Sequence, residues 1–296
     1  HHVSGANYFR YIDSAKWNAL IEEQLVICLE IHQPSMFVFD GAFPYRGMLR
    51  AISAFNGLDK VWMRRGTFKK GTNIPVDSIS HFDLIIHPED SVQQDVEEIN
   101  HGVESISCPP IVLLDENELM SRESARQRLG VPLNSTVVYV QLGAGEINDI
   151  QSEIRITIDA LTKNKDVHVV LGESMLGSRL LINLDRVHLL RDYPNSMYYN
   201  AFDATIQAGG YNSYHEVRKF RIPTLFYPNL NTGMDDQLAR CNAAIDEGWG
   251  MVLENRNEIS INTGVEELLS NYNSLKVDVI EKTDSMLLAE VLISRI

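Results

Sequence analysis

The run IQAGGYNSYHEV (residues 206–217) closes an apolar stretch with two glycines and then offers Asn212, Ser213, His215 and Glu216 within two helical turns. This combination suits an anion. A helix that opens at the end of a parallel strand directs backbone N–H groups and the positive end of its dipole outward, and glycine omits the Cβ that would hold an anion away. Gly209, Gly210, Asn212 and Ser213 therefore read as a phosphate cradle, with a tight turn capped by Asn or Ser as the competing reading. Glu216, a turn further on, can accept two hydroxyl protons at once, which suits a vicinal diol beside the phosphates. A second cluster follows in NTGMDDQLARCNAA (231–244), where Asp235, Asp236 and Gln237 join carboxylates to an amide. Sugar hydroxyls call for that mixture, while capping by Asp235 is the alternative.

A third candidate is FDGAFPYRG (39–47). At a strand end, Asp40 can serve as a base or an orienting carboxylate, and Arg46 can meet phosphates or an anionic acceptor; a turn role competes for Asp40. Arg64 and Arg65, in the cation-rich run MRRGTFKK (63–70), are further candidates for charge stabilisation. His87 and His215 read as structural.

Bulk properties narrow the classes. The 296 residues carry a formal charge of −14, with 44% hydrophobic and 22% charged residues, so the chain suits two globular domains. That acidity argues against nucleic acid as the main partner, because phosphate backbones reward clustered Lys and Arg. Cys28, Cys108 and Cys241 are far apart and encode neither a disulfide framework nor a zinc site, so a reducing cytoplasm fits best. No run reaches the roughly 18 to 20 apolar residues of a membrane span. The HHVSGANYF start lacks Met and the regions of a signal peptide, and reads as that of a processed or partial chain.

The elements that must position these residues alternate. Residues 14–33 have helical apolar spacing up to Pro34, and MFVFD (36–40) reads as a buried strand. A helix at 46–55 and strands at 60–64 and 82–87 continue the pattern. SCPPIVLLDENELMSRE (107–123) reads as a connector, since Pro109 and Pro110 resist regular structure. The alternation then restarts: a short helix stopped by Gly130, a strand at 136–142, a Gly-rich turn at 143–149 and a helix at 150–163. Strands follow at 167–171, 187–190, 204–207, 224–228 and 250–253, with helices near 196–200, 212–220 and 235–247, and a closing amphipathic helix at 281–296. The predicted class is α/β: two doubly wound, Rossmann-like domains at 1–112 and 113–275, the first incomplete, with 276–296 packing back on the first. Such sheets bind ligands at strand carboxyl ends, and two in series are expected to face a cleft.

With these motifs in place, FDATIQAGGYNSYHEVRKFRIPTLFYPNLNTGMDDQLARCNAA (202–244) resembles the donor-binding half of GT-B glycosyltransferases of the family 28 type. The likeness rests on Asp203 at a strand, Gly210, Glu216 six residues later, Pro223 seven after that, and the Asp236-Gln237 pair. It extends loosely over 136–260 and only architecturally over 1–110. The resemblance implies that Gly209, Gly210, Tyr211 and Asn212 lie near a donor diphosphate, that Glu216 holds the ribose, and that Asp236 and Gln237 hold the sugar. LRDYPNSM (190–197) matches the segment whose backbone reads the base, putting Tyr193 and Pro194 beside uracil. Gly143, Ala144 and Gly145 occupy the place of the family's second Gly-rich loop.

The resemblance further implies metal-independent transfer of a hexose or N-acetylhexosamine, with no cofactor beyond a UDP-sugar substrate. The acceptor is a glycan, a lipid-linked or a small molecule, and association with a membrane surface or a partner subunit stays open. A hydrolase or epimerase on the same fold, or a donor-binding subunit without activity of its own, are the rival readings. The family's Gly-rich opening strand, loop and helix, which often carries the base, has no counterpart before Trp17.

Overall fold

The computed structural model describes residues 14–41, 43–67, 69, 76–92, 102–143, 150–173, 183–232, 235–275 and 285–296. By its contacts the chain divides into one unit of His1–Pro110 with Asp284–Ile296 and a second of Ile111–Thr283. The division falls at Pro110, two residues before the boundary read from the sequence.

The first unit contains α1 (Ser14–His32), β1 (Met36–Asp40), α2 (Arg46–Ser53), β2 (Asp59–Met63), a single turn α3 (Val76–Ile79), β3 (Leu84–Pro88) and β4 (Glu104–Cys108). All four strands pair in parallel in the order β1-β2-β3-β4. Burial follows position: inner β3 is buried throughout, whereas β1 at the edge is partly exposed. The core gathers Phe39, Trp62 and Phe82, with the last two ring centroids 5.3 Å apart. The sequence places a connector from residue 107, but β4 runs through 108. Its ESISC composition hides it, because an exposed edge strand needs little apolar content and only Cys108 is buried.

The last helix of the chain, Ser285–Ile293, belongs by contacts to this first unit. Just beyond it, Arg295 donates to both oxygens of Asp59 at 2.8 and 3.1 Å and to Glu104 at 3.1 Å. These carboxylates begin β2 and β4, so one guanidinium bridges two strand starts. Arg295→Ala is expected to lower the stability of this unit by about 1 kcal/mol at low salt and by much less in 1 M NaCl, since partly exposed pairs are screened. Urea midpoints at the two salt concentrations check this.

The second unit contains α4 (Arg122–Leu129), β5 (Thr136–Gln141), α5 (Ile150–Thr162), β6 (Val167–Gly172), β7 (Val187–Leu190), a 3-10 helix (Asn195–Ala201), β8 (Ala204–Gln207), α6 (Tyr211–Lys219), β9 (Thr224–Phe226), α7 (Gln237–Asp246), β10 (Gly250–Val252) and α8 (Glu258–Asn271). Gly130 ends α4 at φ 70°, the left-handed conformation that glycine adopts without penalty. The parallel sheet has the order β10-β9-β8-β5-β6-β7. From β5 the chain steps outward through β6 to β7, then restarts at β8 on the other side. The β5–β8 boundary is thus a topological switch point, where open α/β sheets bind ligands.

Alternate residues of β5 feed opposite cores, Val137 and Tyr139 one, Val138 and Val140 the other. Helix α8, for which the sequence reading has no element, covers the second face with Ile261, Val265 and Leu268. Gly264 is buried on the same side and Leu269 packs against the same core, while Ile259 is exposed.

Candidate functional site

Strand β8 ends at Gln207, and helix α6 begins at Tyr211 with Gly210 as its N-cap. The two glycines between them have different reasons to be glycine. A Cβ on Gly209 would lie 2.2 Å from Cys241 Sγ, so this position is required by packing against α7. At Gly210 a Cβ would meet nothing within 4 Å, and φ −64°, ψ 148° is backbone that any residue adopts. Among the described residues neither strain nor packing demands glycine at Gly210, which stands at the N-cap of α6. Asn212 is exposed and Ser213 half-buried on the first turn, whereas Tyr211 is buried with its ring 4.4 Å from that of His215. His215, read from the sequence as structural, is fully buried.

Glu216 lies half-buried on α6, and both its oxygens are engaged. Ser196 donates to Oε1 at 3.1 Å and Tyr199 to Oε2 at 3.3 Å. Both hydroxyls come from the 3-10 helix that follows Tyr193 and Pro194. Burial pushes the Glu216 carboxyl above the usual carboxylate range, and the two hydroxyls pull it partly back. A carboxylate offers about four acceptor positions, so two remain for a ligand. Gln207 donates to Tyr199 at 3.4 Å, and Asn195 donates to the Tyr139 hydroxyl at 3.0 Å, which in turn donates to Gln141 at 2.9 Å. Gln141 and Gln207 are register partners at the ends of β5 and β8. The switch point therefore carries a hydrogen-bonded polar patch.

The acidic cluster has a different organisation from the one expected. Helix α7 begins at Gln237, and the capping side chain is that of Asp236, which accepts from Ala239 N at 3.1 Å. Asp235 instead pairs with fully buried Arg240 at 2.6 Å. The same guanidinium donates to the Gly209 carbonyl at 2.7 Å, so Asp235 helps fix the glycine turn. Gln237 accepts from Asn229 N at 2.9 Å and holds the turn after β9.

Asp203, which opens the likeness noted above, is likewise structural in its contacts. It accepts from Arg122, from buried Arg126 and from Val137 N. Tyr193 is exposed and Pro194 caps the 3-10 helix. Gly143, at φ 94°, follows β5 at the switch point, whereas Ala144 and Gly145 lie outside the described residues. In the first unit Asp40 accepts from Arg65 through both oxygens at 2.7 and 2.8 Å. Arg46 is exposed at the first position of α2, and Arg64 is buried, its guanidinium 5.6 Å from the Trp62 ring centroid.

Sequence reasoning missed Ser196, Tyr199, Gln141, Gln207 and Arg240. A signal was present for the glutamines, since TVVYVQ and ATIQ are both apolar strands ending in Gln.

The fold is that of a two-unit, Rossmann-like α/β protein, the GT-B fold. No family model matches the chain, and no curated protein matches it. Among solved structures it is similar to the spinosyn forosaminyltransferase SpnP (14% identity over 93% of this chain and 79% of that one, TM-score 0.60). It is also similar to Acinetobacter baumannii MurG (12% identity, 100% and 83% covered, TM-score 0.59). A third likeness is to a putative UDP-N-acetylglucosamine 2-epimerase from Listeria monocytogenes (11% identity, 96% and 78% covered, TM-score 0.65). At these identities the likeness is one of fold. Among the described residues no helix is long and apolar enough to cross a membrane.

Proposed function

We propose that this chain is a glycosyltransferase that moves a hexose or N-acetylhexosamine from a UDP-linked donor to an acceptor hydroxyl. The observation that carries the reading is the Gly210 turn: a helix opens at the sheet's switch point behind a glycine beside which the described residues leave open space. First-turn N–H groups and the helix dipole hold the diphosphate there, and Glu216 accepts from the ribose hydroxyls. Tyr193 and Pro194 border the base, with Gly143 on the far side of the diphosphate.

Asp236 and Gln237 retain acceptor capacity for sugar hydroxyls beyond their structural bonds, while Asp235 acts through Arg240. In the reaction the bond from the anomeric carbon to the diphosphate oxygen breaks, the acceptor oxygen bonds to that carbon, and the acceptor proton passes to a base. Asp40, which Arg65 engages through both oxygens, is the base proposed from the sequence, and Arg46 the cation proposed for anionic groups. The departing diphosphate is stabilised by helix N-termini and cations, so the reading requires no metal.

The likeness in fold to a putative epimerase supports a second reading, in which the nucleotide sugar is rearranged without an acceptor. A thermal-shift panel of UDP, GDP, dTDP and CMP with product analysis tests both. UDP at a hundredfold above its Kd should add about 2.7 kcal/mol of stability, more than GDP or CMP adds. Equal shifts would remove the base assignment. Epimerised or hydrolysed sugar formed without acceptor would favour the second reading, and tight binding without turnover would point to a donor-binding subunit.

A further inference from the structure

The two hydroxyls on Glu216 carry more than packing. Ser196 and Tyr199 are both almost wholly buried, yet each directs its O–H at a carboxylate rather than at a backbone carbonyl. Tyr199 has little freedom to do otherwise. Its ring meets Phe220 edge-on at 5.8 Å and lies 5.9 Å from Tyr139 and 6.0 Å from Phe202. On its other side the fully buried Gln207 amide donates to its oxygen at 3.4 Å, which leaves the phenolic proton for Glu216. Gln207 Oε1 has no partner among the described residues, so this amide is held at the network's base with one acceptor unused. Ser196 and Tyr199 lie on the element that continues directly from Tyr193 and Pro194, whereas Glu216 is on the helix behind the glycine turn.

We infer that Ser196 and Tyr199 are positioning residues that aim the Glu216 carboxylate, so that selection of a ribose over a deoxyribose nucleotide depends on the 3-10 helix as well as on Glu216 itself. The inference rests on the proposed diol role of Glu216. Each hydroxyl takes one acceptor position on one oxygen, which leaves a position on each oxygen for two adjacent hydroxyls. The hydroxyls also favour the ionised form that must accept from the diol, against the burial that disfavours it.

Calorimetry with UDP and 2′-deoxy-UDP on the parent, Tyr199→Phe and Ser196→Ala, repeated from pH 5 to 8, tests this. The parent should prefer UDP by tenfold or more. Tyr199→Phe keeps the ring packing and should lose most of that preference, while affinity for 2′-deoxy-UDP changes less than threefold. Binding of UDP requires the carboxylate and weakens as pH falls. Removing a hydroxyl that favours ionisation should raise the pH of half-loss by about half a unit to one unit. A purely structural tyrosine would weaken both nucleotides equally and leave that pH where it was, and this result would overturn the inference. Ser196→Ala should act in the same direction; if both variants keep the parent's preference and pH profile, the positioning role is wrong. A parent that binds UDP and 2′-deoxy-UDP equally would instead refute the diol role of Glu216 from which the inference starts.

Discussion

Arg126→Ala is expected to cost about 4 kcal/mol of the second unit's stability, enough to leave much of it unfolded in mild denaturant. Arg126 is fully buried, and burial lowers its pKa while Asp203 opposes that shift. It satisfies five acceptors: the carbonyls of Ala201 (2.9 Å), Pro132 (3.2 Å), Leu133 (2.6 Å) and Ser135 (2.9 Å), and Asp203 at 2.8 Å. These groups belong to the turn before β5 and the entry to β8. Truncation leaves carbonyls and a mostly buried carboxylate without their donor, and losing one partner of a buried pair costs about 3 to 5 kcal/mol. Arg122 and Val137 N still serve Asp203, which keeps the figure inside that range. Arg126→Lys keeps the charge but not the fork of donors, and should recover less than half of the loss. Urea titration followed by hydrogen exchange at β5 and β8 amides measures this. A loss below 1 kcal/mol would mean that water or a neighbouring side chain takes over the acceptors.

The second large effect separates two adjacent glycines. Gly210→Val should weaken UDP binding on the order of 100-fold while changing stability by less than about 1 kcal/mol. Its backbone is ordinary for valine and its Cβ enters open space. Reduced freedom of the unfolded chain stabilises, and a poorer N-cap offsets this. Two charge-assisted bonds from first-turn amides to a diphosphate, at about 1.5 kcal/mol each or more, would be lost to the isopropyl group, giving about 3 kcal/mol.

Gly209→Ala has the opposite profile. Its methyl group must push into buried Cys241 and toward the Gln237 carbonyl, 3.2 Å away, at about 1 to 3 kcal/mol of stability. Melting temperature and UDP titration on the two variants decide the matter. Gly210→Val that binds UDP like the parent would end the cradle assignment, whatever Gly209→Ala does.

What the chain determines by itself is the material of two parallel sheets. Runs such as TVVYVQ, VHVVL and ATIQ are apolar without alternation, and such strands are stable only when covered on both faces. Gly130 and Pro34 mark helix ends for reasons local to the backbone, so these were legible. The glycine pair followed by Asn, Ser and Glu was legible as a strand-to-helix turn for the same reason.

Edge strand β4 and helix α8 were not, because their apolar content is small and only their neighbours supply the rest of the core. Tertiary structure alone decided which side chains share the switch point. Gln141 and Gln207 stand 66 residues apart, yet become register partners because β8 returns to the free side of β5. The same return brings Ser196 and Tyr199 against Glu216, and Arg240 against both Gly209 and Asp235. Asp235 and Asp236 are adjacent acids of equal propensity, and composition assigns neither its task. One became a cap because α7 starts at Gln237, and the other became the counter-charge of a cation that the fold had buried.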